Sequence, residues 1–473
     1  MVISARSKVA DMKSKNQIDQ KELRRQKILS EPLLPLIVKM SVPTIVGMLI
    51  MVIYSLTDTF FVGLLNDKSM TAAIGIVFSF VSIIQAIGFW FGYGSGNIMS
   101  KKLGEQDEEE ATIISSIGIA FSIISGFLIA ILSWIFISDL TKFIGGNASV
   151  NLFKFTTQYI KVIIISVPFS LYSITIYNQL RLCGNVKDGM IGLLLGMFSN
   201  MILDPVFMFI FKFGFVGAGY ATLTGQIIAC ISLTMLAKGN GNIPVSLKNV
   251  KCSKERIYHI LVGGMPNFSR QVITSVSLIL LNRVAANFGE SIIAALTVSS
   301  RIVAIAYMIM IGWGQGFQPI CAMNYGAKKY GRVRSAFNLT VVVGTIFLII
   351  SAVVLYIFSE HFVIAMSKDS EVISIGAQLL RMQCITIPLL AYYAISSMLM
   401  QNIGKYFCSL IISISRQGIF YIPLLYLLTN LYGKFGIYLL QPIADILSFV
   451  LAVIVVYKIK NELKNEGNIH YMN

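Results

Sequence analysis

Long unbroken apolar runs, such as 113–137 and 339–358, constrain this chain more than any other feature. Each is long enough to cross about 30 Å of hydrocarbon as a helix. Charged residues make up 13% of the 473 residues, too few to cover a water-facing surface of this size, since soluble domains average roughly 25%. Alternating ten-residue segments, the mark of a transmembrane β-barrel, are absent from the sequence. The reading is an all-α polytopic membrane protein.

A window of about twenty residues places spans near 34–61, 70–99, 112–137, 157–180, 189–211 and 218–237. Six more follow near 260–286, 292–323, 335–358, 374–402, 407–431 and 436–458. The expected organisation is a basic N-terminal tail (1–31), a first lobe (32–237), a polar linker (238–259), a second lobe (260–458) and a C-terminal tail (459–473). Formal charge is +16, from 38 Lys+Arg against 22 Asp+Glu. With the N-terminus placed inside, 25 basic residues fall on the cytosolic side and 6 on the outer side. That asymmetry puts both termini in the cytosol and accounts for the excess charge without nucleic acid. The tail begins too polar for a signal peptide, because no apolar core precedes Leu33. Six cysteines without paired spacing read as apolar fillers, and His259, His361 and His470 are too scattered to build a metal or haem site.

The two halves repeat. Gly92, Gly94 and Gly96 recur as Gly312, Gly314 and Gly316, and Pro168 and Gly184 recur as Pro388 and Gly404, all displaced by 220. Pro43 pairs with Pro266, and Pro205 with Pro423. Fixed-offset similarity marks duplication. Six spans per half is an even number, so both halves insert the same way up and form two parallel six-helix repeats, a transporter architecture. Rocking of one lobe against the other is the expected motion, with 238–259 as a tether that carries no chemistry.

Gly92-Tyr-Gly-Ser-Gly96 and Gly312-Trp-Gly-Gln-Gly316 superficially resemble nucleotide loops, but neither follows a strand or precedes a Walker lysine. Small-residue helix packing is the better reading. No P-loop or ATPase domain is visible in the sequence, so transport is expected to be driven by an ion gradient or by none. Acids inside the predicted helices are Asp58, Asp204 and Asp445. A carboxylate in hydrocarbon is costly, so such residues face the bundle interior and mark ion paths, cap a helix, or meet a buried cation. Asn200 precedes Asp204 by four residues and shares its helix face, and Thr222 and Thr224 offer hydroxyls from the next span. The second half is polar through amides and arginines instead. Gln271, Arg301, Gln315 and Asp445 are its candidates for lining a substrate cavity. The 21 Met and 30 Phe fit ordinary packing and equally a soft cleft for apolar cations.

Several stretches resemble one family: Asp58-Thr59-Phe60-Phe61-Val62-Gly63, Asn200-Met-Ile-Leu-Asp204-Pro205, Gly316-Phe317-Gln318-Pro319 and Asn324-Tyr325-Gly326-Ala327. Together with the two six-helix repeats they resemble the MATE (multidrug and toxic compound extrusion) family over nearly the whole chain. Within it they are most similar to the DinF-like branch and its MepA-like bacterial exporters. The resemblance implies efflux of cationic amphipathic drugs in exchange for protons or sodium. It puts Asp58, Asn200, Asp204 and Thr222 on the ion site of the first lobe, with Asn178 of span 4 carried over beside them. Sodium, if it is the coupling ion, would sit at Asp58 and Asp204. One departure stands out. The NorM-like branch places acids in spans 7 and 10, where this chain has Arg270, Gln271 and Arg381.

The leading expectation is therefore a secondary multidrug antiporter in a bacterial-type cell (inner) membrane. It needs no cofactor, contacts drugs and the lipid bilayer, and works as a monomer. A lipid-linked sugar flippase with the same double bundle is the alternative and calls for a more cationic cavity. A membrane-embedded enzyme would need convergent catalytic groups, which the scattered histidines do not supply. Pro43, which removes a backbone hydrogen bond in span 1, is the expected hinge.

Overall fold

The computed structural model describes residues 20–65, 67–239, 242 and 247–470. Tail residues 1–19, residue 66, linker residues 240–241 and 243–246, and residues 471–473 lie outside the described part. Described residues form helices and turns with no strand. Among the described residues eleven helices are long and apolar enough to cross a membrane, and one bent pair, counted as a single span, brings the number to twelve. Helices answer the bilayer's central demand, because each satisfies its own backbone N–H and C=O groups where no water is at hand. Large apolar side chains such as Ile124, Ile279 and Ile350 are exposed along these helices, as a lipid-facing surface requires.

Span 10 departs from the single helix expected over 374–402. It is two helices, Ser370–Cys384 and Leu389–Asn402, bent by 59°. Pro388 lacks the N–H that would continue the ladder across the break. Its repeat mate Pro168 lies within an unbroken helix, Val150–Leu182.

Backbone geometry confirms the duplication and corrects its register. Left-handed residues recur in pairs: Gln106 with Lys328 (φ 65° and 57°), Gly184 with Gly404 (85° and 84°), Gly214 with Gly433 (57° and 56°). Gln106 and Lys328 close the turns after spans 2 and 8, Lys68–Gly104 and Glu290–Gly326. Their separation is two residues longer than the glycine triplets suggest, and glycine packing agrees. Gly92 backs onto Asn178 of span 4, and Gly314 onto Met398 of span 10. Gly94 meets the Ile260 carbonyl of span 7, and Gly316 meets Ser41 of span 1. The structural mates are thus Gly92 with Gly314 and Gly94 with Gly316. A motif with glycine at every second position matches itself equally well two residues out of step, which is why the sequence alone misregisters it.

The chain divides into two compact units. The first comprises Met1–Glu31 and Val46–Gly264. Its span 2 lies on span 4 through a stripe of Gly88, Gly92 and Gly96 against Ile174, Asn178 and Leu182, one helical turn per contact. Val62, Val77, Ile160, Leu171 and Ala218 are fully buried in its core. Trp90 Nε1 donates to the Leu261 carbonyl at 2.7 Å, beside the place where Gly94 and Gly264 let two backbones touch.

Residues 20–30, within the expected basic tail, form a helix in this unit. Arg25 donates through Nε and Nη2 to the Leu103 and Gly104 carbonyls at 3.1 and 3.2 Å, capping the last turn of span 2. Arg24 Nη1 donates to Asn242 Oδ1 of the linker at 2.8 Å, and Lys21 pairs with Glu108 at 3.2 Å. Ile28 is 0% exposed and fills the space beside Gly184.

The second unit comprises Pro32–Ile45 and Met265–Asn473. Ser41 and Thr44 donate to the carbonyls of Trp313 and Gly312 at 2.9 and 2.8 Å. Its core gathers Ala285, Ala295, Leu425 and Ala444. The last helix, Lys434–His470, runs on through most of the expected C-terminal tail. Two helices, span 1 and span 7, therefore change unit along their length, at 45–46 and 264–265.

Gly94→Ala should lower stability by about 1–3 kcal/mol, because its methyl group meets a backbone carbonyl that cannot turn away. Gly75→Ala, with nothing within 4 Å of the new Cβ, should be neutral or stabilising. Ile28→Ala should cost about 2–5 kcal/mol. Thermal unfolding in detergent reads all three.

Candidate functional site

The first unit gathers the polar residues that the sequence singles out. Asp204 ends span 5, where the α-helix Val186–Pro205 passes into a π-helical turn, Val206–Ile210. Pro205 weakens the regular ladder there, and π turns re-aim the side chains around them. Asp204 is 0% exposed, and neither of its carboxyl oxygens accepts a hydrogen bond among the described residues. One turn earlier, Asn200 Nδ2 donates to Thr222 Oγ1 of span 6 at 3.3 Å, while Asn200 Oδ1 is bare. Asp58 enters from the part of span 1 that belongs to this unit, with Oδ1 buried and unbonded, and its charge interacts with that of Asp204.

Two tyrosines complete the cluster and escape the sequence reading. Tyr54 and Tyr159 both bring their hydroxyls to Thr222 and sense both carboxylates. Tyr54 precedes Asp58 by four residues, and that same-face spacing was the available signal. Tyr159, on span 4, packs on Phe215 at 5.2 Å, and nothing in its local sequence marks it. The site is thus five oxygen-bearing side chains and one amide from four spans. Four of its oxygens, Asp58 Oδ1, Asn200 Oδ1 and both of Asp204, have no donor among the described residues, an arrangement suited to a proton or a small hard cation.

Asn178 belongs to another neighbourhood. Its Nδ2 donates to the Ile174 carbonyl at 2.8 Å, and its Oδ1 accepts from Arg181 Nη2 at 3.2 Å. Arg181 itself is fully buried and lies over the Tyr93 ring at 5.1 Å. Thr224, half-buried, turns its Oγ1 back to the Tyr220 carbonyl at 2.8 Å. Pro43 lies inside a continuous helix, just before span 1 passes from one unit to the other.

Within the second unit the four cavity candidates are scattered in character. Gln315 is buried, Gln271 half-buried and Arg301 exposed. Asp445, 2% exposed, is fully engaged. Its Oδ1 accepts from Arg416 Nε and from Gln441 Nε2, both at 2.7 Å, and its Oδ2 accepts from Thr386 Oγ1 at 3.0 Å. Arg416 in turn stacks over the Tyr307 ring at 5.4 Å. Arg416 reads in sequence as one arginine among several, and only the folded unit makes it the partner of Asp445. Among the described residues no group of three or more His, Cys, Asp or Glu side chains is placed to hold a metal ion.

The two acids should therefore respond oppositely to neutralisation. Asp445→Asn leaves a buried guanidinium without its counter-charge, at about 3–5 kcal/mol, and should lower the unfolding midpoint markedly. Asp204→Asn loses no hydrogen bond among the described residues and removes a bare buried carboxyl, so its midpoint should hold or rise.

Comparison with known proteins supports the same architecture. Multidrug export protein MepA of Staphylococcus aureus (strain MSSA476) is 26% identical over 434 residues, covering 91% of this chain and 95% of that protein. Multidrug export protein MepA of Staphylococcus haemolyticus (strain JCSC1435) is 27% identical over 425 residues, 89% of this chain and 93% of that one. Among solved structures, that of MATE in the bent conformation shares the fold, with TM-score 0.87 at 22% identity over 94% of this chain and 99% of that chain. The family model MatE matches residues 43–206 and again 266–427, once in each half. With most of its length matched in two copies, the chain belongs to the MatE family.

Proposed function

We propose that this protein is a secondary active multidrug efflux antiporter, exporting cationic amphipathic drugs in exchange for protons or sodium ions. The observation that carries the reading is Asp204: a carboxyl buried completely, without a hydrogen bond among the described residues, beside a second acid and two uncommitted oxygens. A structural carboxylate in hydrocarbon collects donors. One left bare is kept for an exchangeable partner, and the Staphylococcus relatives are named multidrug export proteins. The reading is of a transporter, not an enzyme, in a bacterial-type cell membrane with both termini cytosolic.

In this mechanism a proton or sodium ion enters the Asp58–Asp204 cluster from outside and neutralises it. Neutralisation relieves the repulsion between the two carboxyls and lets span 1 bend at Pro43, where one backbone hydrogen bond is already missing. Movement of span 1 reshapes the cavity and expels the drug. Ion and drug then oppose each other's binding equally, by thermodynamic reciprocity, with a coupling free energy of about 1–3 kcal/mol. Alternating access follows when the two repeats rock, each exposing the cavity to one side in turn.

Ethidium efflux from proteoliposomes under an imposed pH or sodium gradient tests the proposal. Asp58→Asn and Asp204→Asn should abolish gradient-driven efflux while expression and insertion persist. The gradient that drives wild-type efflux identifies the coupling ion. Wild-type rates in both variants would place the coupling elsewhere.

A further inference from the structure

We propose that the second unit carries a second intramembrane carboxylate site, at Asp445, which Arg416 holds permanently neutralised, so that the chain exchanges ions through its first unit alone. The guanidinium occupies the place that a proton or monovalent cation would otherwise take. This inference rests on the reading of the Asp58–Asp204 cluster as the coupling site.

The placement comes from the repeat. Gly214 and Gly433 form the same left-handed turn at the start of spans 6 and 12, φ 57° and 56°. Counting from those turns, Gln441 stands where Thr222 stands in the first unit, and Asp445 lies one helical turn further along the same face. Span 11 carries a π-helical turn, Ser415–Ile419, with Arg416 on it, at a different repeat position from the turn Val206–Ile210 that follows Asp204 in span 5. In the second unit the fifth and sixth spans bring the acid, the π turn and two polar partners together.

The difference lies in what meets the acid. Asp204 has no donor among the described residues, whereas Asp445 has three, from three separate elements: Thr386 beside the break in span 10, Arg416 on the π turn, and Gln441 on its own helix. The other ionisable groups that face this pair are Tyr307 beneath the guanidinium, Tyr393, Tyr421 and Arg270. Tyr393 donates its proton to the Ser413 carbonyl at 2.9 Å, so it does not compete for the carboxylate. An acid that already holds a fixed cation at 2.7 Å has no reason to bind a mobile one. Arg416 is then a positioning residue: it determines how many ion sites the protein has.

A chemical readout separates this from a merely structural ion pair. Dicyclohexylcarbodiimide attacks carboxyls that can be protonated in an apolar setting, and mass spectrometry of peptides locates the adduct. With the full chain in liposomes, Asp445 should stay unmodified in wild type and in Arg416→Lys. In Arg416→Gln its labelling should rise about tenfold and fall again when sodium or alkaline buffer is supplied. Equal labelling of Asp445 in wild type, or none in a monodisperse Arg416→Gln protein, would overturn the proposal. Should Arg416→Gln not fold, the infrared difference between wild type and the neutral double variant Arg416→Gln/Asp445→Asn decides. An ionised carboxylate band that added sodium leaves unchanged is expected. A band that sodium shifts overturns the idea. Neither readout depends on efflux, so pumping by Asp204→Asn would sink the coupling mechanism without altering these results.

Discussion

Hydrocarbon offers no hydrogen-bond partner, and the organisation of this protein follows from that lack. Backbone groups are satisfied within helices. Hydroxyls on the spans mostly turn back to the carbonyl one turn earlier, as Ser82 does to Phe78 and Thr274 to Arg270. Glycine stripes bring helix backbones close enough for dispersion to hold them together where the hydrophobic effect between helices is absent. Several buried polar atoms still lack a partner among the described residues, and a carboxyl with both oxygens bare is the costliest case. Asp204 is such a group, and its neighbours Asp58 and Asn200 each carry an unbonded oxygen.

The same constraint explains why two repeats of one ancestral plan do different work. Three donors surround Asp445, and one of them carries a full positive charge. The pair needs no third party. The first unit leaves its acids open, and the second closes its own. Both place the irregularity beside the acid: a π turn after Pro205 in one, a π turn and a proline break in the other. Such interruptions free backbone groups and redirect side chains, which a regular helix in hydrocarbon does not allow.

The boundary between units inside spans 1 and 7 has a plain physical basis. Gly94 with Gly264 in the first unit, and Gly316 with Ser41 in the second, permit backbone approach that any larger residue would prevent. The opening part of each helix is held by that contact, and the rest packs with the other unit. The helix at 20–30 adds to the first unit a buried Ile28 and guanidinium caps on span 2. Span 1, which carries both Pro43 and Asp58, thus begins immediately after a firmly anchored segment.

Hydropathy and charge are sums over neighbouring residues, so the sequence by itself determined the number of spans, the all-helical class, the duplication and the identity of the intramembrane acids. It also put Asn200 on the helix face of Asp204, because a four-residue spacing is a local fact, while the fold chose Thr222 over Thr224 as the hydroxyl beside Asn200. What Asp445 meets was not local: Arg416 lies 29 residues away and Thr386 59. Likewise Tyr159 joins Thr222 across 63 positions of chain, and Asn178 turns to Arg181 rather than to the acids. The repeat register, the break in span 10 and the docking of residues 20–30 depended on which helix faces touch. Only tertiary packing decided those, because a side chain's partner in hydrocarbon is set by what the fold brings within 3 Å, not by its position along the chain.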